Sequence, residues 1–370
     1  MKDYFRFKKT RTIAPLYSKG AVAITQDGER LVTCVAEDIL LTYVSIGTEI
    51  CRFTSVRALP KILLYRSTYL QQDGQPISSL CVTPSSLHLM VFTSSLFLRI
   101  YELPNTTTPL EQRVQPIRIV GRAHDAPIHT CVVDPTSTYL ASGSADGVVK
   151  VWNILGGFVT HIFKGHGGVV SALVFSYPQD HSNVARNETM HLISASVDTR
   201  IRIFNLTEGS STSSGGGKPV AVLEGHVSVP RGLDVSHDGR WLISGGRDSV
   251  VLIWDLHSKT PGSSKKRSEV KGVLTPKLFN TIPVLERVEA VGILHSQVGE
   301  DESKLDTLRF YTGGEKGVVK VWNAKRATVT QQLGKEHQST SSDDVEEQRQ
   351  ITSVLYVSNI FWTKLELTFA

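Results

Sequence analysis

Serine, histidine and aspartate occur together in three stretches of the chain, and these are the residue types of a nucleophilic hydrolase site. In each stretch an aspartate lies four residues after a serine and six residues before an aromatic residue, with a histidine upstream. The three sets are His124, Ser142, Asp146 and Trp152; His166, Ser194, Asp198 and Phe204; and His226, Ser244, Asp248 and Trp254. A catalytic triad has no reason to recur, whereas a hydrogen-bond chain that stabilises a repeated unit does. We therefore predict a structural role for all three sets.

The structural hypothesis makes a stability prediction. A buried carboxylate needs hydrogen-bond partners, and each hydrogen bond to a charged group contributes roughly 1.5–3 kcal/mol. Replacing Asp146 or Asp248 by alanine is therefore expected to lower the melting temperature. The opposing hypothesis, catalysis, predicts a lost chemical activity with unchanged stability.

The sets lie in repeated units that read as strand, tight turn and strand. Small residues with Gly or Asp mark each turn, and apolar residues alternate after it, as in a β-hairpin. The aligned stretches are Tyr139–Asn153, His191–Asn205, Trp241–Asp255 and Phe310–Asn323. Weaker copies cover Ala21–Val44 and Ile77–Leu103, and another begins at Ile351. Such internal repetition is typical of repeat architectures.

The repeated order of Gly-His, an apolar strand, Leu-x-Ser-Gly-Ser-x-Asp and Trp-Asp resembles the WD40 family. The resemblance implies an all-β fold, a WD40 β-propeller with about six full blades plus an incomplete seventh. Residues 1–20 would form an N-terminal segment, residues 21–358 the propeller, and residues 359–370 an atypical tail. We expect blades near residues 21–50, 76–105, 126–160, 169–222, 227–256, 286–325 and 350–358, with flexible loops at 207–219, 257–272 and 334–350.

The WD40 resemblance also implies how the residues of each set connect. The ring residue would donate to the serine, and the chain would continue through the histidine to the aspartate in the turn. Phe204 has no N–H group, so the second chain would be shorter. In the last hairpin Lys316 stands where the aspartate belongs, beside Thr312 and Trp322, so no tetrad is expected there.

Four stretches are similar to a particular WD40 family, the transducin-beta-like subunit of the small-subunit processome. They are the N-terminal Phe5–Leu31, Gly156–Phe175, the stretch that begins at Ala126, and Thr281–Leu294, which contains Ile-Pro-Val-Leu-Glu-Arg-Val-Glu-Ala. The resemblance implies a non-catalytic scaffold in the nucleolus, within the nucleus, that supports pre-18S rRNA processing and ribosome biogenesis. Its partners would be other WD40 subunits and the U3 small nucleolar RNA/pre-rRNA particle, with direct RNA contact left open.

Members of that family are longer and carry a second propeller and a C-terminal helical domain. This chain ends inside the first propeller, so we expect a shortened product, or a partner or second copy that supplies the missing strands. A different function, that of a cytoplasmic WD40 adaptor or ubiquitin-ligase substrate receptor, also fits the repeats.

The chain has a net charge of +5 and a pI near 8.9, which permits contact with RNA or acidic partners without requiring it. Arg231 and Arg247 are predicted to face a partner beside the central channel, with ordinary solvated arginines as the alternative. The cluster of Lys265, Lys266 and Arg267 fits a nuclear import signal, an RNA contact or solvated loop charge.

Other classes of site lack their signature in the sequence. No apolar run reaches the ~18 residues of a membrane helix, so no membrane contact is expected. The cysteines, Cys34, Cys51, Cys81 and Cys131, are spread without a CxxC pair and are predicted to be buried free thiols. HExxH and GxxxxGK[ST] motifs are missing. We therefore expect no catalytic residue, metal, cofactor or small-molecule substrate.

Overall fold

The chain folds into strands that pair with their neighbours along the sequence. The computed structural model describes residues 21–35, 38–44, 48–53, 76–105, 114–177, 190–207, 217–257, 274–294, 305–333, 348–357 and 360–368. Six four-stranded antiparallel sheets form, which we number 1 to 6 along the chain. They are consistent with propeller blades, so the predicted all-β fold with about six full blades is confirmed.

The chain divides into two compact units, and the first is built mainly from Thr12–Ile162. Sheet 1 contains β1 (Val22–Ile24), β2 (Arg30–Val35), β3 (Asp38–Tyr43) and β4 (Thr48–Phe53). Sheet 2 contains β5 (Ile77–Val82), β6 (His88–Thr93), β7 (Leu98–Glu102) and β8 (Arg118–Val120). Sheet 3 contains β9 (Ile128–Val133), β10 (Tyr139–Ser144), β11 (Val149–Asn153) and β12 (Phe158–Phe163).

The second unit is built mainly from Phe163–Tyr356. Sheet 4 contains β13 (Val170–Ser176), β14 (His191–Ser196), β15 (Ile201–Asn205) and β16 (Ala221–Leu223). Sheet 5 contains β17 (Pro230–Val235), β18 (Trp241–Gly246), β19 (Val250–Asp255) and β20 (Lys277–Pro283). Sheet 6 contains β21 (Val288–Leu294), β22 (Arg309–Gly314), β23 (Val319–Asn323) and β24 (Thr328–Leu333).

The middle strands of sheets 2 and 5 are apolar on both faces because each face packs on a different neighbouring sheet. Along β18, Ile243 joins a cluster shared with sheet 6, whereas Leu242 joins one shared with sheet 4. In the first unit, Leu89 and Met90 divide in the same way between sheets 1 and 3. Successive side chains of a strand point to opposite faces, so an uninterrupted apolar run is what a doubly buried strand requires.

Two fourth strands lie beyond the blade ranges expected from the sequence. The range 76–105 stops before β8, and the range 227–256 stops before β20. In both sheets a long stretch outside the described residues separates the third strand from the fourth. The outer strand is also mostly exposed, as in β20, and so carries little of the apolar periodicity that predicts a strand.

A two-stranded sheet of β25 (Gln348–Val357) and β26 (Ile360–Thr368) follows sheet 6, where the sequence predicts an incomplete seventh blade. Ile351 and Val354 of β25 pack on Ala290, Tyr311 and Val319 of sheet 6. The segment expected to be an atypical tail therefore contributes strand β26, in which Lys-Leu-Glu-Leu alternates polar and apolar residues. Strand β25 also takes in residues 348–350 of the expected third loop.

Several sequence expectations concern residues outside the described ranges. These are the segment 1–20, the greater part of the three expected loops, and the basic cluster of Lys265, Lys266 and Arg267. Within the described ranges, no helix has the length and apolar character needed to cross a membrane.

Candidate interaction surface

The first strand of five sheets contains a β-bulge, which adds one unpaired residue. The added residues are Ser78, His129, Ser171, Arg231 and Glu289. A bulge re-aims a side chain because the extra residue has no opposite partner in the ladder. Strand pairing therefore sets the direction of these five side chains.

The bulge residues of sheets 5 and 6 carry opposite charges and meet. Arg231 donates through Nε to Glu289 Oε2 at 2.9 Å, and Arg247 donates through Nε to Oε1 at 2.6 Å. The Glu289 side chain is 3% exposed, against 38% for Arg231 and 46% for Arg247. Charge-assisted hydrogen bonds of this kind are strong and directional. One buried carboxylate thus neutralises one of two positive charges and positions both guanidinium groups.

Sequence reasoning selected Arg231 and Arg247 and missed Glu289. The signal was available in the repeat, because the pairing of Pro230 with Gly246 matches that of Val288 with Gly314. Aligning those two strands places Glu289 at the position of Arg231. A charge reversal at equivalent positions of successive repeats predicts an ion pair.

Sheet 5 contains a complete polar chain. Trp254 Nε1 donates to Ser244 Oγ at 3.1 Å, His226 Nε2 lies 2.8 Å from that oxygen, and His226 Nδ1 lies 2.8 Å from Asp248 Oδ2. A carboxylate only accepts, so Nδ1 carries the proton and the serine hydroxyl donates to Nε2. Asp248 Oδ2 also accepts the backbone N–H of Val227 at 3.0 Å.

Sheet 4 has the same histidine, serine and aspartate but a different connection. His166 Nε2 lies 2.6 Å from Ser194 Oγ, whereas its Nδ1 lies 3.6 Å from Asp198 Oδ2. Arg202 Nη1 stands between them, 2.6 Å from Nδ1 and 2.7 Å from Oδ2. Arginine only donates, so Nδ1 accepts and His166 donates through Nε2. Phe204 stacks on Phe163 with ring centroids 4.3 Å apart.

Sheet 3 differs from the expected four-residue chain at its aspartate. His124 Nε2 lies 2.7 Å from Ser142 Oγ, and Trp152 Nε1 donates to that oxygen at 2.9 Å. Asp146 is exposed, and in the part of the chain that the structure describes its side chain accepts only the N–H of Val148, in its own turn. Among the described residues His124 Nδ1 has no hydrogen-bond partner. The structure therefore joins three of the four predicted residues and leaves Asp146 out.

The neighbours of Asp146 explain its position. Asp198 and Asp248 each accept a backbone N–H from the residue after the histidine, Gly167 or Val227. In sheet 3 that residue is Asp125, whose carboxylate repels a second carboxylate. Lys150 meanwhile directs its ammonium to the Ala123 carbonyl at 2.8 Å.

Sheet 6 replaces the histidine–aspartate pair with another buried ion pair. Trp322 Nε1 donates to Thr312 Oγ1 at 2.9 Å, as the serine position of the other sheets would suggest. Glu286 forms an ion pair with Lys320 and accepts the backbone N–H of Lys316 at 3.2 Å. Within the described ranges no histidine or aspartate joins these side chains.

Burial lowers the pKa of all three histidines. The pKa of His166 falls to about 4 because of desolvation and then the Arg202 charge. The pKa of His124 falls to about 4 because of desolvation and then the Lys150 charge. Desolvation also lowers the pKa of His226, and Asp248 opposes it. These histidines are therefore neutral at pH 7, which suits a fixed hydrogen-bond chain.

Two cysteines that the sequence placed far apart come together. Cys81 of β5 and Cys131 of β9 are both free thiols, with Sγ atoms 3.3 Å apart, and Ser79 Oγ lies 3.2 Å from Cys131 Sγ. Burial raises the pKa of the Cys81 thiol, with further contributions from Cys131. In the part of the chain that the structure describes, no group of three or more His, Cys, Asp or Glu side chains could hold a metal ion.

The sheets and their polar chains fit one class of protein. The family model described as "WD domain, G-beta repeat" matches residues 115–153, 157–205 and 217–255. The chain therefore carries WD40 repeats, and its six four-stranded sheets are consistent with the blades of a WD40 β-propeller.

Curated relatives narrow the comparison further. The chain is 30% identical over 324 residues to "Transducin beta-like protein 3" of Bos taurus, covering 86% of this chain and 33% of the relative. It is 26% identical over 332 residues to "U3 small nucleolar RNA-associated protein 13" of Saccharomyces cerevisiae, covering 88% and 33%. The resemblance expected from the sequence is confirmed, and the chain spans about a third of these relatives' length.

A third relative matches far less of the chain. "Nuclear distribution protein nudF" of Emericella nidulans is 28% identical over 169 residues, which is 36% of this chain. That match is limited to a part of the chain, whereas the first two run through most of it.

Proposed function

We propose that this protein is a non-catalytic WD40 scaffold of the nucleolar small-subunit processome that supports pre-18S rRNA processing. The observation that carries the proposal is the similarity over 86–88% of the chain to transducin beta-like protein 3 and to a protein named for its association with U3 small nucleolar RNA. Its partners are other WD40 subunits and the U3 small nucleolar RNA/pre-rRNA particle, and its location is the nucleolus.

The polar chains support the non-catalytic part of the proposal. His226 and Asp248 are 1% and 2% exposed, so a substrate has no access to them. The serine of each chain is also fully buried and bonded to a neighbouring ring nitrogen. A nucleophile must reach its substrate, so these groups act by holding the sheets together.

Depletion of the gene product tests the proposed function. Unprocessed precursors of 18S rRNA are expected to accumulate on a blot of pre-rRNA, while precursors of the large-subunit RNA mature normally. The tagged protein is expected to co-sediment with the large pre-rRNA particles in a sucrose gradient. Normal 18S maturation after depletion would contradict the proposal.

The competing function is that of a cytoplasmic adaptor or ubiquitin-ligase substrate receptor. Localisation of the fluorescently tagged protein separates the two. A nucleolar signal that disappears when rRNA transcription is inhibited supports the scaffold. A diffuse cytoplasmic signal, together with normal pre-rRNA, supports the adaptor.

A further inference from the structure

The turn between β18 and β19 carries an exposed surface of mixed character, which we call the turn surface. Its exposed residues are Val227, Arg231, Arg247 and Leu285, and it includes the buried Glu289 that binds both arginines. The backbone connects its members: Val227 N–H donates to Asp248 in the turn, and Val284 N–H donates to the Ser249 carbonyl at 2.9 Å. Val227 and Leu285 therefore flank one tight turn from two sides, with Arg247 between them in that turn.

The two arginines keep donors that the protein does not use. Each guanidinium engages Glu289 only through Nε. Among the described residues neither makes another side-chain hydrogen bond or ion pair, so their terminal nitrogens remain available. Glu289 holds both guanidinium groups in place before any ligand binds. An anion that binds to them therefore costs little side-chain entropy of the two arginines. The three side chains together retain one positive charge, which matches one carboxylate.

The aliphatic residues beside this charge are unusually exposed. Val227 is 87% exposed and Leu285 is 78% exposed. Leu285 also has φ of 63°, a left-handed conformation that is uncommon for a bulky residue. Backbone strain of this kind is found where the surrounding structure holds a side chain in place for contact. Arginine is enriched at protein interfaces, and exposed apolar residues beside it add surface that a partner can remove from water.

We propose that the turn surface binds an acidic segment of a partner protein, with a carboxylate on the terminal nitrogens of Arg231 and Arg247 and aliphatic side chains on Val227 and Leu285. This inference rests on the proposed scaffold function, because it names the kind of segment that a scaffold partner presents. Glu289 is a positioning residue that holds both guanidinium groups in place and does not contact the ligand itself.

Protein fits this surface better than RNA does. Single-stranded RNA is held by aromatic side chains on which bases stack, together with a groove of positive charge. The turn surface has two aliphatic residues and no aromatic one, and Glu289 cancels half of its arginine charge. A peptide with alternating acidic and aliphatic residues matches both parts of the surface.

Selection from a random 12-residue peptide library displayed on phage, with the purified chain as bait, tests the proposal. The selected peptides are expected to be enriched in Asp or Glu next to Leu, Ile or Val. A fluorescein-labelled copy of the most enriched peptide then serves as the probe in anisotropy titrations. A selection without acidic enrichment would overturn the proposal.

Two variants remove the surface without opening the core. Val227→Ser with Leu285→Asn removes only exposed apolar atoms, and asparagine tolerates the left-handed conformation. Arg231→Gln, Arg247→Gln and Glu289→Gln together remove all three charges and leave no unpaired carboxylate. Each variant is expected to bind the probe at least about tenfold more weakly. Unchanged binding in the first variant, which should fold normally, would be decisive against the proposal.

Arg240→Gln is the matched control. Arg240 lies at the opposite end of sheet 5, is 44% exposed and pairs with Asp255, so binding of the probe should be unchanged. Binding of a labelled 20-nucleotide oligouridine that the triple glutamine variant abolishes would assign the surface to RNA and overturn the proposal. Pre-rRNA processing is measured separately, so a failed peptide test would leave the proposed function intact.

Discussion

Sheets 4 and 5 carry the same histidine, serine and aspartate, yet only sheet 5 joins histidine directly to aspartate. The Nδ1–Oδ2 distance is 2.8 Å for His226 and Asp248 but 3.6 Å for His166 and Asp198. The difference comes from one position on the third strand, opposite the serine, where sheet 5 has Leu252 and sheet 4 has Arg202. A repeat motif thus fixes which residues meet, whereas a neighbour outside the motif decides how they bond.

Of the experiments that test this comparison, lowering the pH should cause the largest loss in the free energy of unfolding. At pH 7 a buried histidine whose pKa lies below the unfolded value of 6.5 is neutral in the folded chain and mostly neutral in the unfolded chain. Its lowered pKa therefore costs almost no stability at that pH. Between pH 6.5 and about 4 the unfolded chain takes up protons first, so stability is lost as the pH falls. At pH 5 the loss is about 2 kcal/mol for each of His124 and His166. Urea unfolding at pH 7 and pH 5 measures it.

The control for the pH experiment is His166→Gln, which cannot titrate there. The loss between pH 7 and pH 5 should shrink by about 2 kcal/mol, the share of one histidine. An unchanged pH dependence would mean that carboxylates elsewhere dominate.

The second-largest effect is expected from breaking the complete chain in sheet 5. Asp248→Ala leaves the buried Nδ1–H of His226 and the N–H of Val227 without their acceptor. Hydrogen bonds to a charged group are worth about 1.5–3 kcal/mol, so the free energy of unfolding should fall by that amount.

Asp146→Ala is the matched control in sheet 3. Asp146 is exposed and, among the described residues, bonds within its own turn, so the loss should be about 0.5 kcal/mol, the size of an ordinary surface change. The sequence alone predicted a lower melting temperature for both. Equal losses in calorimetry would contradict the geometry of sheet 3.

Arg202→Leu should convert sheet 4 toward the arrangement of sheet 5. With the guanidinium removed, Asp198 can accept directly from His166 Nδ1, so the pKa of His166 should rise above about 4. Removing one partner of a buried ion pair usually costs about 3–5 kcal/mol. Here Asp198 keeps the backbone N–H groups of Gly167 and Arg200 and gains the Nδ1–H of His166, so the loss of stability should be smaller than that. Titration of the His166 ring signal by NMR measures the shift, and an unmoved pKa would contradict the role assigned to Arg202.

The smallest expected effect is a difference in histidine tautomer between sheets 4 and 5, which is observed in the unmodified protein and involves no loss of stability. Ring ¹⁵N shifts at pH 7 should place the proton on Nδ1 in His226 and on Nε2 in His166. The same tautomer in both would show that Arg202 does not donate to His166.

The sequence supported much of the fold because the hairpin signal is local. Turn residues and alternating apolar residues lie within fifteen positions of one another, as in Tyr139–Asn153. The sequence did not predict strand β20 because only one of its residues, Ile282, is buried. Sixteen residues outside the described ranges also separate it from β19, the strand with which it pairs. Outer strands are held by backbone hydrogen bonds more than by burial. Almost any residue type can form these bonds, so the sequence pattern does not reveal an outer strand.

The polar contacts were harder to predict than the fold. Arg202 occupies a position where Lys150 and Lys320 also stand, so the sequence marks it only as a polar residue of a strand. Its insertion between His166 and Asp198 depends on cross-strand register. Glu289 belonged to the stretch that identified the resemblance, but its partners lie 58 and 42 residues away.

The bulges in the first strands have a consequence for substitutions. A side chain that pairs with no opposite residue can change without altering the ladder on either side. Serine, histidine, arginine and glutamate all occupy this position in different sheets, while the strands around it keep their register. A substitution at this position can therefore change the residue that a repeat presents without shifting the register of its strands.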